Sequence, residues 1–189
     1  MVKAAEKLFA QQGIPETSVQ QIVETAGVSI GAFYQRFENK DALIHTIFNL
    51  LEDEIAVITS AIAPTKIRTL EKTIQLFTAS SIQFYADRRG VFLALLLAVR
   101  KNPGIREYVS NLRSAVGEIY IEALAEHKAE IGHKRFKKAT AMSMRILHAY
   151  LDQSIIWADY PASEANLEYK VSDRELVQVL LTYLREGSR

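Results

Sequence analysis

Apolar residues recur at three- and four-residue spacing along most of the chain, and this helical period is the strongest constraint on its fold. Residues that interrupt helices are scarce, since the 189 residues include only 4 Pro and 8 Gly. The residue types that dominate, Leu, Ala, Glu, Lys and Gln, are good helix formers, and clean period-two alternation is missing. The sequence therefore predicts an all-α protein.

Local capping signals divide the N-terminal part into three short helices. The first helix is expected to end near Gly13. Ser18 and Gln21 form the S-x-x-Q pattern of a capping box, which opens the second helix. Gly27 then provides a turn, and Ser29 is expected to cap a short third helix.

The third helix is too short to be stable alone, because isolated helices below roughly 12 residues are marginal in water. Phe33 and Phe37 lie four residues apart and are expected to anchor one face of it. A helix, a tight turn containing glycine and a second short helix form a helix-turn-helix. In that motif the second helix enters the major groove of DNA, so the sequence predicts that the three short N-terminal helices form a DNA-binding region, called the head below.

A long gapless series of residues extends the pattern beyond this motif. It comprises Ala4, Ala5, Leu8, Phe9, Gly13, Thr17, Ser18, Ile22, Ala26, Gly27, Val28, Ser29, Gly31, Phe33, Tyr34, Phe37, Lys40 and Leu43. With this series, the first quarter of the chain resembles the tetracycline-repressor (TetR) family of one-component regulators. The resemblance implies a helix-turn-helix DNA-binding domain, expected at residues 1–45, and a helical effector-binding and dimerisation domain, expected at residues 46–189.

The resemblance also implies which residues contact DNA. Phosphate contacts are expected from Thr17, Ser18, Tyr34 and Lys40. The exposed recognition helix is expected to carry Ser29, Ile30, Gly31, Ala32, Gln35 and Arg36. The chemistry agrees in part, because a Tyr hydroxyl and a Lys ammonium suit phosphate oxygens, whereas Gln and Arg can read adenine and guanine edges. Taken singly, Tyr34 and Lys40 also fit plain structural roles at the edge of a small core.

The charge of this head departs from the usual pattern. The first 50 residues carry four basic and five acidic side chains, a net charge of −1. DNA-binding domains are expected to be basic, because neutralising phosphates supplies most non-specific affinity. Family members often have an Arg- and Lys-rich arm before the first helix, whereas this chain begins inside that helix. We therefore expect a shortened sequence with weak non-specific DNA affinity.

The last two long helices, expected near residues 134–160 and 173–186, are apolar on more than one side. The resemblance implies that they pair across a two-fold axis in a homodimer, and the alternative is that they only close the core of one chain. Seven residues are candidates to line an effector cavity, although ordinary core packing competes for each: Phe77, Phe84, Tyr85, Phe92, Tyr108, Tyr120 and His148.

Several classes of function lack support in the sequence. It has no Cys, which excludes disulfides and zinc–thiolate sites and agrees with a reducing cytoplasm. The longest apolar run, Val91 to Val99, is well short of the roughly 20 residues that span a bilayer. His148 and Asp152 share a helix face without a third ligand, so no metal site is predicted. No cofactor and no catalytic residue is predicted either.

We predict a homodimeric, cytoplasmic DNA-binding regulator, a repressor released from a near-palindromic operator by a small molecule. An all-α small-molecule binding protein or enzyme without DNA binding is the alternative. A helical interaction protein whose head has lost DNA binding is a third possibility.

Overall fold

The computed structural model describes residues 1–61, 69–157 and 173–186, and the prediction of an all-α fold is confirmed. The regular elements of these ranges are helices joined by short connections. They are α1 (Val2–Gln12), α2 (Val19–Ala26), α3 (Ile30–Tyr34), α4 (Lys40–Ala61), α5 (Leu70–Asp87), α6 (Arg89–Ala98), α7 (Pro103–Ala125), a 3-10 turn (Lys128–Glu130), α8 (Phe136–Trp157) and α9 (Asp173–Glu186).

These helices belong to two compact units, and each unit is formed by two separate segments of the chain. Unit 1 contains residues 1–57 and 88–112, and unit 2 contains residues 58–87 and 113–189. The unit boundaries fall inside α4 and α7 and at the start of α6. Packing therefore groups α6 and most of α4 with the three short helices. The predicted functional boundary at residue 45 stays a prediction.

The core of unit 1 joins the short helices to α4 and α6. Phe9, Ile22, Phe33 and Leu43 are all buried in it. The start of α6 lies directly against α1, where a Cβ atom added to Gly90 would overlap the Cβ atom of Ala10. Close packing of these two helices thus requires a residue without a side chain at position 90.

Arg88, immediately before α6, ties three parts of unit 1 together. Its Nη1 lies 3.1 Å from Oε1 of Glu6 on α1. Its Nε donates to Oε2 of Glu54 on α4 at 2.9 Å, and its Nη2 contacts the other oxygen of that carboxylate. The Glu6 side chain is mostly buried, so this ion pair holds a charge that water solvates poorly.

The core of unit 2 is formed by α5, α7, α8 and α9, and the apolar stripe of α9 faces it. Leu176, Leu180 and Leu184 are buried in that stripe. At the end of α9, the amide of Gly132 donates to the carbonyl of Leu184 at 3.0 Å. The segment before α8 is thereby fixed against the C-terminal end of α9.

Candidate nucleic-acid interface

The second helix begins at the capping box that the sequence predicts. The amide of Gln21 donates to Oγ of Ser18 at 3.2 Å, and the amide of Ser18 donates to Oε1 of Gln21 at 2.8 Å. Two backbone donors that the helix itself cannot satisfy are therefore bonded. Ile22 and Val23 are buried on the inner face of α2, so its orientation is fixed by packing.

The turn between α2 and α3 depends on the conformation of Gly27. This residue has φ 66° and ψ 34°, in the left-handed region, and its amide donates to the carbonyl of Glu24 at 3.1 Å. No heavy atom lies within 4 Å of a Cβ atom added at this position. The glycine is thus required for its positive φ and not for space. Two residues later, Oγ of Ser29 accepts from the amide of Ala32 at 3.1 Å and caps α3.

The short helix α3 is held by two phenyl rings. Phe33 is completely buried and Phe37 is 5% exposed, and their ring centroids lie 5.4 Å apart. Beside the buried Phe33, Ile30 is 43% exposed and Tyr34 is 57% exposed. The ring of Tyr34 also meets that of Phe33 edge-on at 5.3 Å. A five-residue helix is therefore positioned from behind, while its outer side is open to a partner.

Gln35 and Arg36 are exposed, but they do not lie on the helix as the sequence suggests. α3 ends at Tyr34, and both residues form the turn that follows it. The amide of Phe37 still donates to the carbonyl of Phe33 at 2.8 Å, so the chain keeps a helical course through the turn. The guanidinium of Arg36 lies 5.8 Å from the centroid of the Phe37 ring.

Most of the predicted DNA-contacting residues are accessible, and apart from Ser18 the accessible ones lie in the continuous segment from Ser29 to Arg36. Ala32 is half-buried, and the following residues are exposed: Ser18, Ser29, Ile30, Gly31, Tyr34, Gln35 and Arg36. Arg36 is the one basic residue that the sequence has between Lys7 and Lys40.

Thr17 and Lys40 are placed differently from the other predicted contacts. Thr17 is buried, and its Oγ1 donates to the carbonyl of Gly13 at 2.7 Å. The ammonium of Lys40 donates to the carbonyls of Ile14 and Thr17, each at 2.9 Å, and lies 3.5 Å from the carbonyl of Pro15. Both side chains thus have their donors directed at the loop between α1 and α2. Their predicted contacts with phosphate stay predictions.

Gln12 is a residue of this site that the sequence analysis missed. Its Nε2 lies within 3.3 Å of the carbonyl of Glu16 and of Oγ1 of Thr17, and 3.1 Å from Oε1 of Gln21. It therefore joins the end of α1 to the capping box of α2. No short motif marks it, because the three partners become neighbours only when the loop is folded.

The predicted effector-binding residues are divided between the two units. In unit 1, Phe92 is buried, and Tyr108 stacks on Phe48 with ring centroids 3.7 Å apart and donates to its carbonyl at 3.0 Å. In unit 2, Tyr120 is buried against Phe77, with ring centroids 4.7 Å apart. These contacts are those of core residues. They neither exclude nor establish contact with an effector.

Three further predicted residues lie in unit 2. Phe84 is buried, whereas Tyr85 and His148 are partly exposed. Burial first, and then the charge of Arg113, lowers the pKa of His148 to about 4, although Asp152 opposes this. His148 is therefore neutral at neutral pH. Among the described residues, no group of three His, Cys, Asp or Glu side chains is arranged to hold a metal ion.

Among the helices of the described ranges, none is both long enough and apolar enough to cross a bilayer.

Comparison with known families identifies the head. Residues 1–47 match the model of the bacterial regulatory proteins of the tetR family. Residues 1–47 therefore carry the N-terminal domain of the TetR family. The matched range covers the capping box, the Gly27 turn and the whole of α3, which are the features described above.

Curated relatives match this chain over segments of different length. The uncharacterised HTH-type transcriptional regulator YerO of Bacillus subtilis is 26% identical over 161 residues, which cover 80% of this chain and 54% of YerO. The HTH-type transcriptional regulator AcrR of Shigella flexneri is 40% identical over 55 residues, 29% of this chain and 26% of AcrR. The chain thus spans about half the length of YerO, and its match to AcrR is confined to a shorter segment.

Solved structures of similar fold cover nearly the whole chain. Salmonella enterica GusR has a TM-score of 0.71 at 24% identity, covering 98% of this chain and 93% of GusR. The Bacillus subtilis regulator FadR, solved in complex with stearoyl-CoA, has a TM-score of 0.71 at 19% identity, covering 100% of this chain and 97% of FadR. At these identities the likeness concerns the fold alone.

Proposed function

We propose that the chain is a ligand-responsive transcriptional regulator that binds double-stranded DNA as a homodimer, and that it acts as a repressor. The observation that carries this proposal is the exposed segment from Ser29 to Arg36, which Phe33 and Phe37 hold from behind. An enzyme or a simple binding protein has no need for such a segment, since a five-residue helix with an exposed outer side is marginal by itself.

Within this segment, the proposed roles follow from chemistry and exposure. The Tyr34 hydroxyl is placed to donate to a phosphate oxygen. The exposed Ser18 hydroxyl, which donates to Oε1 of Gln21 at 3.2 Å, is proposed to turn to a phosphate when DNA binds. Gln35 and Arg36 read base edges, and Ile30 contacts a thymine methyl group. Ser29, Gly31 and Ala32 bring the backbone close to the groove.

Thr17 and Lys40 take a different proposed role. Because their donors already bond to backbone carbonyls of the α1–α2 loop, they hold that loop in place and do not contact phosphate through their side chains.

Dimerisation is proposed through α8 and α9. Their inner faces fill the core of unit 2, yet Met142 of α8 is 43% exposed and Val179 of α9 is 52% exposed. Apolar side chains outside a core favour contact with another surface, and a second copy provides the symmetric one. Two heads related by a two-fold axis would bind a near-palindromic operator.

The effector is proposed to bind in residues 46–189, and the head is proposed to comprise residues 1–45. Ligand binding would shift the spacing of the two heads away from the one that fits the operator. We propose no catalytic activity and no cofactor, and a site of action where the genome is accessible, in the cytoplasm. The net charge of −1 on the first 50 residues is the observation that favours the competing hypothesis of a head without DNA binding.

A gel-shift titration against the DNA flanking the protein's own gene tests the proposal. A retarded band would support a regulator if unlabelled operator DNA competes it away and unrelated DNA does not. Arg36→Ala should reduce operator affinity by about tenfold or more, since one bidentate base contact contributes roughly 1–3 kcal/mol. Arg100→Ala, which removes an exposed arginine just after α6, is the matched control and should leave affinity unchanged.

Two results would contradict the proposal. One is the absence of any specific complex at low salt. The other is equal operator affinity of the Arg36 variant and its control. For the dimer, size-exclusion chromatography with light scattering should give twice the mass of 21.3 kDa, and Val179→Lys should shift it toward the monomer.

A further inference from the structure

Four polar side chains form a cluster in unit 2 that the proposed DNA-reading mechanism does not use. Arg113 of α7 donates from Nη2 to Oδ1 and Oδ2 of Asp152 on α8, at 2.7 and 2.6 Å. Its guanidinium also forms a hydrogen bond with the hydroxyl of Tyr85 on α5. His148 lies one turn before Asp152 on the same face of α8. Three helices of unit 2 thus bring their polar groups to one place.

This cluster is desolvated without being sealed. Burial raises the pKa of Tyr85 to about 12, and burial is also the main cause of the low pKa of His148. The side chains of Arg113 and Asp152 nevertheless keep 37% and 24% of their exposure. By contrast, the Tyr120 hydroxyl of the same unit is fully enclosed and bonded to Ser143 at 3.1 Å. The four polar groups therefore remain within reach of an incoming molecule.

The charges of the cluster cancel. Arg113 and Asp152 are opposite and in contact, whereas His148 and Tyr85 are neutral at neutral pH. A charged ligand would add an uncompensated charge, or would displace one partner and leave the other unpaired in a partly buried place. Both alternatives are costly, because a buried charge is tolerated only when it is paired.

An uncharged acceptor meets no such cost. A guanidinium carries five N–H donors; the two on Nη2 serve Asp152 and one more serves the Tyr85 hydroxyl, which leaves two. A carbonyl or hydroxyl oxygen can therefore bind beside the ion pair without breaking it. Ile82 and Val116 lie one turn from Tyr85 and Arg113 and are partly buried apolar residues, suited to contact a hydrocarbon body.

We propose that the cluster of Tyr85, Arg113, His148 and Asp152 binds the uncharged polar head of an effector, which is an amide, ester, ketone or alcohol attached to an apolar body. The inference rests on the proposed function only for the consequence of binding, since the ligand preference itself can be measured without DNA.

A matched set of compounds tests this preference. Phenyl, naphthyl and octyl bodies, each carrying in turn a primary amide, a primary alcohol, a carboxylate or a primary amine, are titrated calorimetrically into the full chain. On at least one body, the amide or the alcohol should bind about tenfold or more tightly than both charged heads. Preference for a carboxylate or an amine, or no binding by any of the compounds, would overturn the proposal.

Two variants should reverse the preference by unbalancing the charges. Asp152→Asn leaves the charge of Arg113 uncompensated, so the carboxylate should become the preferred head. Arg113→Met leaves the negative charge of Asp152 uncompensated, so the amine should become the preferred head. Glu118→Gln, at an exposed position of α7, is the control that changes the net charge of the protein without touching the cluster.

Circular dichroism confirms folding of each variant. If Arg113→Met does not fold, the nearly isosteric Asp152→Asn decides alone, and an unchanged preference in that variant contradicts the proposal. Gel shifts are measured separately with the same proteins. A chain that prefers amides but never binds DNA would refute the regulator while leaving this site intact. A chain that binds DNA but none of the compounds would refute this site and leave the proposed regulator intact.

Discussion

Replacing Lys40 by Met distinguishes a residue that holds the head together from one that contacts DNA. The substitution keeps most of the apolar stem and removes the ammonium that donates to the carbonyls of Ile14 and Thr17. Both of those residues are buried, so water cannot easily replace the lost donor. The loop between α1 and α2 should therefore lose stability.

The size of the loss follows from the two short hydrogen bonds. A hydrogen bond to a charged group contributes about 1.5–3 kcal/mol, and the half-exposed position of Lys40 favours the lower end for each bond. We expect the free energy of unfolding to fall by about 2–4 kcal/mol. For a chain of this size, that corresponds to a decrease in Tm of roughly 5–12 °C. Denaturant unfolding followed by circular dichroism measures it, with Lys137→Met, an exposed lysine of α8, as the control.

The second readout is the salt dependence of operator binding, measured well below the Tm of the variant. A lysine that neutralises a phosphate contributes about 0.9 to the slope of log affinity against log salt concentration. If Lys40 only braces the loop, the slope should be the same in the variant and the wild type. An unchanged Tm together with a slope reduced by about 2 per dimer would refute the reasoning and make Lys40 a phosphate contact.

Two further predictions concern the contacts of α6 in unit 1. Gly90→Ala should cost about 1–3 kcal/mol of stability because its Cβ would overlap that of Ala10, and Ala10→Gly in the same chain should recover part of it by double-mutant cycle. Burial raises the pKa of Glu6 while Arg88 lowers it, so the folded state binds this proton more tightly and its stability falls as pH rises through the titration. Arg88→Met raises that pKa further and also removes the partner of Glu54, so the variant should be about 2 kcal/mol less stable near neutral pH, with a smaller loss at low pH, where Glu6 is protonated. Equal destabilisation at both pH values in thermal melts would exclude the charge as the cause.

Features of the fold that depend on near neighbours in sequence could be predicted. The capping box of Ser18 and Gln21 and the pair of Phe33 and Phe37 are separated by three and four residues, so one helical turn is enough to bring them together. The sequence predicts that the recognition helix includes Gln35 and Arg36, since neither residue type stops a helix, whereas α3 ends at Tyr34.

Contacts between distant residues could not be predicted, and they decide the roles of several polar side chains. Lys40 lies 26 residues from Ile14, and Arg113 lies 39 residues from Asp152. A lone lysine or arginine in a sequence is equally suited to solvent, to DNA and to a partner inside the chain. For the aromatic candidates the reason is different: a ring such as that of Tyr108 suits a core and a ligand cavity equally well, and only its neighbours distinguish the two.

The geometry of Lys40 and the charge of the head together predict an operator affinity with a shallow salt dependence. With Lys40 turned toward the α1–α2 loop, the exposed basic side chains among residues 1–50 are Lys3, Lys7 and Arg36. If Arg36 reads a base edge and only Lys3 and Lys7 contact phosphates, a dimer of this chain should show a slope of about −4, and if Arg36 also neutralises a phosphate, about −5. Neutral donors such as the Tyr34 hydroxyl add contacts without releasing counterions, so affinity would have to come from base edges, DNA shape and the pairing of two heads. Filter binding over a tenfold range of salt gives the slope, and a value steeper than about −6 would show that cations outside this set contact the DNA.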